Sequence, residues 1–176
     1  MAKTKVESSA IQKNVPKKEV QAYAIAALGQ GLVYSCMSSY ITDYYMNVLT
    51  LNAMFVIMLM LLERVWDAIN DPMWGSIVGK KRPNKDGKFR PFIKWFAIPI
   101  GIMAALSFVN FRNFTTSDTV VLILMYVTYI GFGMMYTTIN IPYGSLASVI
   151  TDDPEGRTLL STFRSIGAGL GGAVPL

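Results

Sequence analysis

There is no histidine anywhere in the 176 residues, and the single cysteine is Cys36. A Cys/His metal centre and an internal disulfide are therefore excluded, and the commonest general base is missing. Charge is scarce as well. Asp, Glu, Lys and Arg together make up 15% of the chain, against 52% hydrophobic residues and a mean hydropathy of +0.39. A soluble domain of this size rarely reads so apolar. No nucleophile–base pair or phosphate loop stands out. The run "GAGLGG" at 167–172 follows no strand, so close helix packing explains it better than nucleotide binding. These absences argue against an enzyme. Cys36 lies inside an apolar run and reads as a small packing residue.

What is present is a series of apolar blocks, each long enough to cross a bilayer, which takes about 20 residues as helix. They predict an all-α, polytopic membrane bundle with spans at about 20–46, 52–79, 92–111, 119–149 and 157–176. Residues 1–18 form a polar, lysine-rich tail. At "TDDPEGRT", Asp153 is suited to cap a helix and Pro154 to occupy its first position. The net charge of +5 does not point to nucleic acid, because the cations are clustered beside the apolar blocks. Five lysines lie in 1–18, and seven Lys and Arg residues lie between Lys80 and Lys94. That bias places the N-terminus and the 80–91 loop in the cytoplasm and the protein in the cell membrane, surrounded by lipid. The apolar run that ends the chain after five spans leads us to expect the front part of a longer protein, or a truncated one.

One span carries charge in its middle. Leu51 to Leu62 contain none, and then "ERVWDAINDPMWG" follows at 63–75. On a helix Glu63, Asp67 and Asp71 fall at i, i+4 and i+8, with Arg64 beside the two aspartates and Asn70 and Trp74 on the same broad arc. Ionised carboxylates are costly in lipid, so the stripe must face the bundle interior or a water-filled cavity. Pro72 should bend the helix there, and Gly75 and Gly79 should admit a close neighbour. Two carboxylates one turn apart repel unless a cation lies between them or one binds a proton. Asp67 and Asp71 thus read as a site for sodium, lithium or a proton, supported by Arg64 and Asn70. A salt-bridged packing network is the bland alternative, and for Glu63 the two weigh evenly.

The first and fourth spans carry polar faces. Gln30, Tyr34, Ser38 and Tyr45 share one side of the first, and Tyr136, Thr137 and Asn140 fall at i, i+1 and i+4 on the fourth. Amides, hydroxyls and aromatic faces suit a neutral polyol. The same residue types also serve as interhelical packing contacts.

The signature "WDAINDPMWG", the basic loop, "GKFRPFI" and "YTTINIPYGSL" occur in that order. Together they resemble the glycoside–pentoside–hexuronide:cation symporter family, of which the melibiose carrier is a member. That family is part of the major facilitator superfamily, with twelve spans in two halves. The resemblance covers nearly the whole chain after residue 20 and implies an N-terminal half of that type. It implies that Asp67 and Asp71 hold the coupling cation, that no other cofactor is needed, and that a sugar or glycoside binds near mid-membrane. It also implies a substrate role for Arg164, early in the fifth span. The galactoside-reading positions depart from the pattern: Gly31 and Asn140 stand where acids are expected, and Gly144 where a tryptophan is. The expected function is cation-coupled sugar symport by alternating access. A sodium-coupled lysolipid-type carrier and a non-transporting membrane scaffold are the alternatives.

Overall fold

A computed structural model describes residues 15–84 and 87–174. Most of the lysine-rich tail and Lys85 of the basic loop therefore lie outside the described residues. Among the described residues five long helices follow one another: α1 at Lys17–Asp43, α2 at Ala53–Lys80, α3 at Arg90–Ser107, α4 at Asp118–Ile150 and α5 at Pro154–Ala173. The described residues contain no strand, only an isolated bridge between Asn84 and Gly87.

The ends of the helices have local causes. Asn52 accepts the Met54 N–H and starts α2. Asp153 accepts the Glu155 and Gly156 N–H groups, and Pro154 takes the first position of α5, where its missing N–H costs nothing. The fifth helix accordingly begins at 154, earlier than the expected 157. Helix α1 does not run to 46 as an α-helix. It changes to a π-helical turn over Tyr44–Val48, followed by Thr50 at φ 49°. Helix α3 stops at Ser107, short of the expected 111, and a 3-10 turn at Phe111–Asn113 follows. Gly87 adopts φ 87°, a conformation other residues rarely take, and its N–H donates to the Asn84 carbonyl at 2.8 Å.

The chain divides into two compact units. One contains the residues up to Ser39 together with those from Ser145 onward. Here α1 and α5 pack backbone to backbone. A Cβ added at Gly31 would lie 2.5 Å from the Ala168 carbonyl oxygen, and one at Gly167 would lie 2.5 Å from that of Ala24. Gly171 meets the Leu28 carbonyl in the same way, and Ser35 Oγ donates to the Gly172 carbonyl at 2.9 Å. The close-packing expectation for "GAGLGG" is met at Gly167 and Gly171, whereas Gly169 and Gly172 have nothing within 4 Å of an added Cβ.

The other unit, Tyr40–Gly144, contains α2, α3 and most of α4. Trp74 of α2 packs edge-on against Phe92 and Phe96 of α3. Gly131 of α4 lies against Met103 of α3, and Tyr126 of α4 donates to the Phe55 carbonyl of α2. Arg112 ties the two short linkers together, donating to the Leu49 carbonyl at 2.6 Å and to Asp118 at 2.9 Å.

One expectation is corrected. Gly75 and Gly79 have nothing within 4 Å of an added Cβ, so neither accommodates a close neighbour. Among the described residues, only α4 is long, apolar and charge-poor enough to pass as a membrane span by length and composition. Helix α2 falls short because Glu63, Arg64 and Asp67 interrupt it, and α3 begins with Arg90 and Lys94. Helices that turn polar groups toward one another lower their mean apolarity without leaving the bilayer.

Candidate functional site: an acidic row on α2 against α4

Helix α2 places Glu63, Asp67 and Asp71 one turn apart in a single row, as their spacing requires. Helix α4 meets that row with two residues, also one turn apart. Gly133 is buried, and a Cβ there would lie 3.2 Å from Glu63 Oε1 and 3.8 Å from Asp67 Oδ1. The absence of a side chain at 133 makes room for the two carboxylates. One turn further on, Thr137 Oγ1 donates to Asp71 Oδ1 at 3.0 Å. The acids are graded in exposure: Glu63 and Asp67 are half-buried and Asp71 is exposed.

The charges of the row act on one another. The Arg64 guanidinium attracts both Glu63 and Asp67, while Asp67 and Asp71 repel. Oxygen at the aspartate pair comes from the two carboxylates and the Thr137 hydroxyl, a hard donor set suited to a hard cation. Among the described residues no group of three or more His, Cys, Asp and Glu side chains gathers as a multivalent metal site would. The pair with a hydroxyl is a smaller and less charged arrangement.

Asn70 is fully buried, and neither atom of its side-chain amide has a hydrogen-bond partner among the described residues. Its helical position places it on the same broad arc as the acidic row, one turn before Trp74. A carboxamide in that state costs about 1–3 kcal/mol unless something engages it.

The polar residues of the first and fourth spans fall into different units. Tyr136, Thr137 and Asn140 belong with the acidic row, and Gln30, Tyr34 and Arg164 belong to the α1–α5 unit. Within its own unit each has a defined environment. Gln30 is partly buried with its Nε2 atom unpartnered, Tyr34 is exposed, and Arg164 is half-buried. Tyr136 stacks near Phe132 with ring centroids 6.0 Å apart. Tyr45 leaves the polar face expected for it. The π-turn shifts the register after Asp43, and Tyr45 ends fully buried against Tyr129.

Gly133 was missed by residue-by-residue reading, which looked for polar groups. The signal was available: Gly133 and Thr137 repeat the one-turn spacing of the acids they face. Gly31 gains a physical explanation too. An acid at that position has no room, because the α5 backbone at Ala168 fills the place of its Cβ.

Comparison with known proteins fits this arrangement. The model of the family described as MFS/sugar transport protein matches residues 22–175. The chain is 35% identical over 168 residues to the isoprimeverose transporter of Lactiplantibacillus pentosus, covering 95% of this chain and 34% of that protein. It is 31% identical over 153 residues to a glucuronide carrier protein homolog of Escherichia coli, covering 87% and 33%. It is 32% identical over 158 residues to the inner membrane symporter YicJ of the same organism, covering 88% and 33%. The chain thus spans about a third of the length of the curated relatives it matches.

Proposed function

Since the chain belongs to the MFS/sugar transport family, a family of multi-pass membrane transporters rather than enzymes, we propose that it contributes the cation-binding half of a symporter that moves a sugar or glycoside by alternating access. The observation that carries this reading is the alignment of the acidic row of α2 with Gly133 and Thr137 of α4. A coupling cation bridges Asp67 and Asp71, with the Thr137 hydroxyl and the Asn70 amide oxygen as further ligands. Sodium and lithium satisfy that donor set directly, and a proton does so by titrating the pair. Binding cancels the repulsion between the aspartates, so the loaded and empty sites favour different helix arrangements.

Substrate recognition falls to the uncharged residues Gln30, Tyr34, Tyr136 and Asn140, together with Arg164. Thr137 moves from the sugar side, where its spacing put it, to the cation side. Arg164 favours an anionic sugar as a second reading of the substrate, because its planar fork pairs with a carboxylate. The likeness to a glucuronide carrier homolog supports that reading. The N-terminus and the 80–91 loop are placed on the cytoplasmic side by their lysines. The test is uptake by the full polypeptide with Asp67→Asn or Asp71→Asn. Cation stimulation should be abolished while some substrate binding persists. Unchanged dependence on sodium, lithium and protons in both variants would remove the site from the mechanism.

A further inference from the structure

The basic segment between α2 and α3 has a use beyond topology. Residues 80–94 hold seven Lys and Arg residues against one acid, Asp86. Lys80, Lys81, Arg82, Arg90 and Lys94 are exposed. Two of the cations are held in position. Lys81 Nζ sits 4.4 Å from the centre of the Phe92 ring, and Lys88 Nζ donates to the Gly79 carbonyl at 2.7 Å. Positive charge is therefore concentrated at the elbow where α2 ends and α3 begins.

Helix α3 leaves this elbow with two distinct faces. One is buried, through Phe92, Ile100 and Ser107, and packs toward α4 at Met103. The other carries Trp95, Ile98 and Ile102, which are 77%, 73% and 53% exposed. Their spacing of three and four residues makes one continuous apolar stripe. Trp95 stands at its basic end, directly after Lys94. A tryptophan there, with lysine next to it, matches the composition of a membrane–water boundary.

We propose that the elbow and this stripe form a docking surface for an anionic phospholipid, whose acyl chains lie along Trp95, Ile98 and Ile102 and whose headgroup meets Arg82 and Lys94. The charge complementarity selects this occupant. A zwitterionic lipid would cover the stripe equally well but would bring no net charge to the elbow. The positive-inside bias accounts for the side on which the lysines lie, yet predicts no preference among headgroups once the chain is inserted. Each Lys or Arg near an anionic surface contributes about fivefold in affinity.

The test uses the purified full polypeptide in mixed micelles with brominated phosphatidylglycerol or brominated phosphatidylcholine. Both quench tryptophan on contact, and the quenching lost in Trp95→Phe belongs to the stripe. Brominated phosphatidylglycerol should quench Trp95 at a mole fraction about fivefold or more below that needed for the choline lipid. Lys94→Gln should shrink that preference about fivefold, and Lys94→Arg should keep it. Equal quenching by the two lipids would overturn the headgroup claim. No quenching of Trp95 by either would mean that protein covers the stripe, which would overturn the surface itself.

Discussion

Replacing Thr137 with valine should damage the cation side of transport and leave the sugar side almost intact. Valine keeps the branched shape and removes only the hydroxyl, and Thr137 is 5% exposed, so bulk water cannot take the hydroxyl's place. The bond it removes is 3.0 Å long and ends on the Asp71 carboxylate. A hydrogen bond to a charged group is worth roughly 1.5–3 kcal/mol. That converts to about a tenfold to hundredfold loss of affinity. Asp71 itself is exposed, so solvent screening favours the low end of the range. The assay is substrate binding to the full polypeptide at a series of sodium or lithium concentrations. The cation midpoint should rise about tenfold, while substrate affinity at saturating cation stays nearly constant. Thr137→Ser, which restores the hydroxyl, should recover most of the loss. An unchanged cation midpoint with weakened sugar binding would refute the reasoning and return Thr137 to the substrate pocket.

Other expectations follow from single contacts. Gly31→Ala should destabilise the α1–α5 unit by about 1–3 kcal/mol through overpacking, whereas Gly75→Ala, with open space around it, should stabilise by up to about 1 kcal/mol; thermal unfolding of the two variants checks the sign of each. Arg164→Ala should weaken substrate binding about tenfold or more, the loss of one charge-assisted hydrogen bond, and leave the cation midpoint in place. Cationic amines should not compete with sugars or uronides for the site, and a binding panel across the three classes tests this. A cysteine at Asn84, with Cys36→Ser, should be labelled only from the cytoplasmic side, and labelling of intact cells by an impermeant reagent would reverse the topology.

The helix order and the acidic row were legible in the sequence because both rest on periodicity. Charges repeating every four residues mark one face wherever a helix forms. The Asp153–Pro154 start of α5 was legible for a similar reason, since capping is local chemistry. The features that escaped depend on contacts between segments. Whether a glycine accommodates a neighbour is decided by where another backbone passes. Within the one run "GAGLGG", Gly167 and Gly171 prove tight and Gly169 and Gly172 open. The π-turn at Tyr44–Val48 changes the register at the end of α1. That shift is invisible to a hydropathy window, yet it moves Tyr45 from the expected polar face into the core. For Thr137, spacing gave only its place beside Asn140 on α4, and packing against α2 adds the bond to Asp71, which spacing within one helix does not reveal.

The central claim is that this acidic row couples cation movement to substrate movement. Its most direct measurement is in proteoliposomes containing the full polypeptide, with substrate equal on both sides and a sodium, lithium or proton gradient imposed across the membrane. The account predicts that substrate accumulates inside when at least one of these cations is higher outside, and that Asp71→Asn allows equilibration but no accumulation. Substrate that only equilibrates under every cation gradient, or that accumulates equally well in Asp71→Asn, would contradict it.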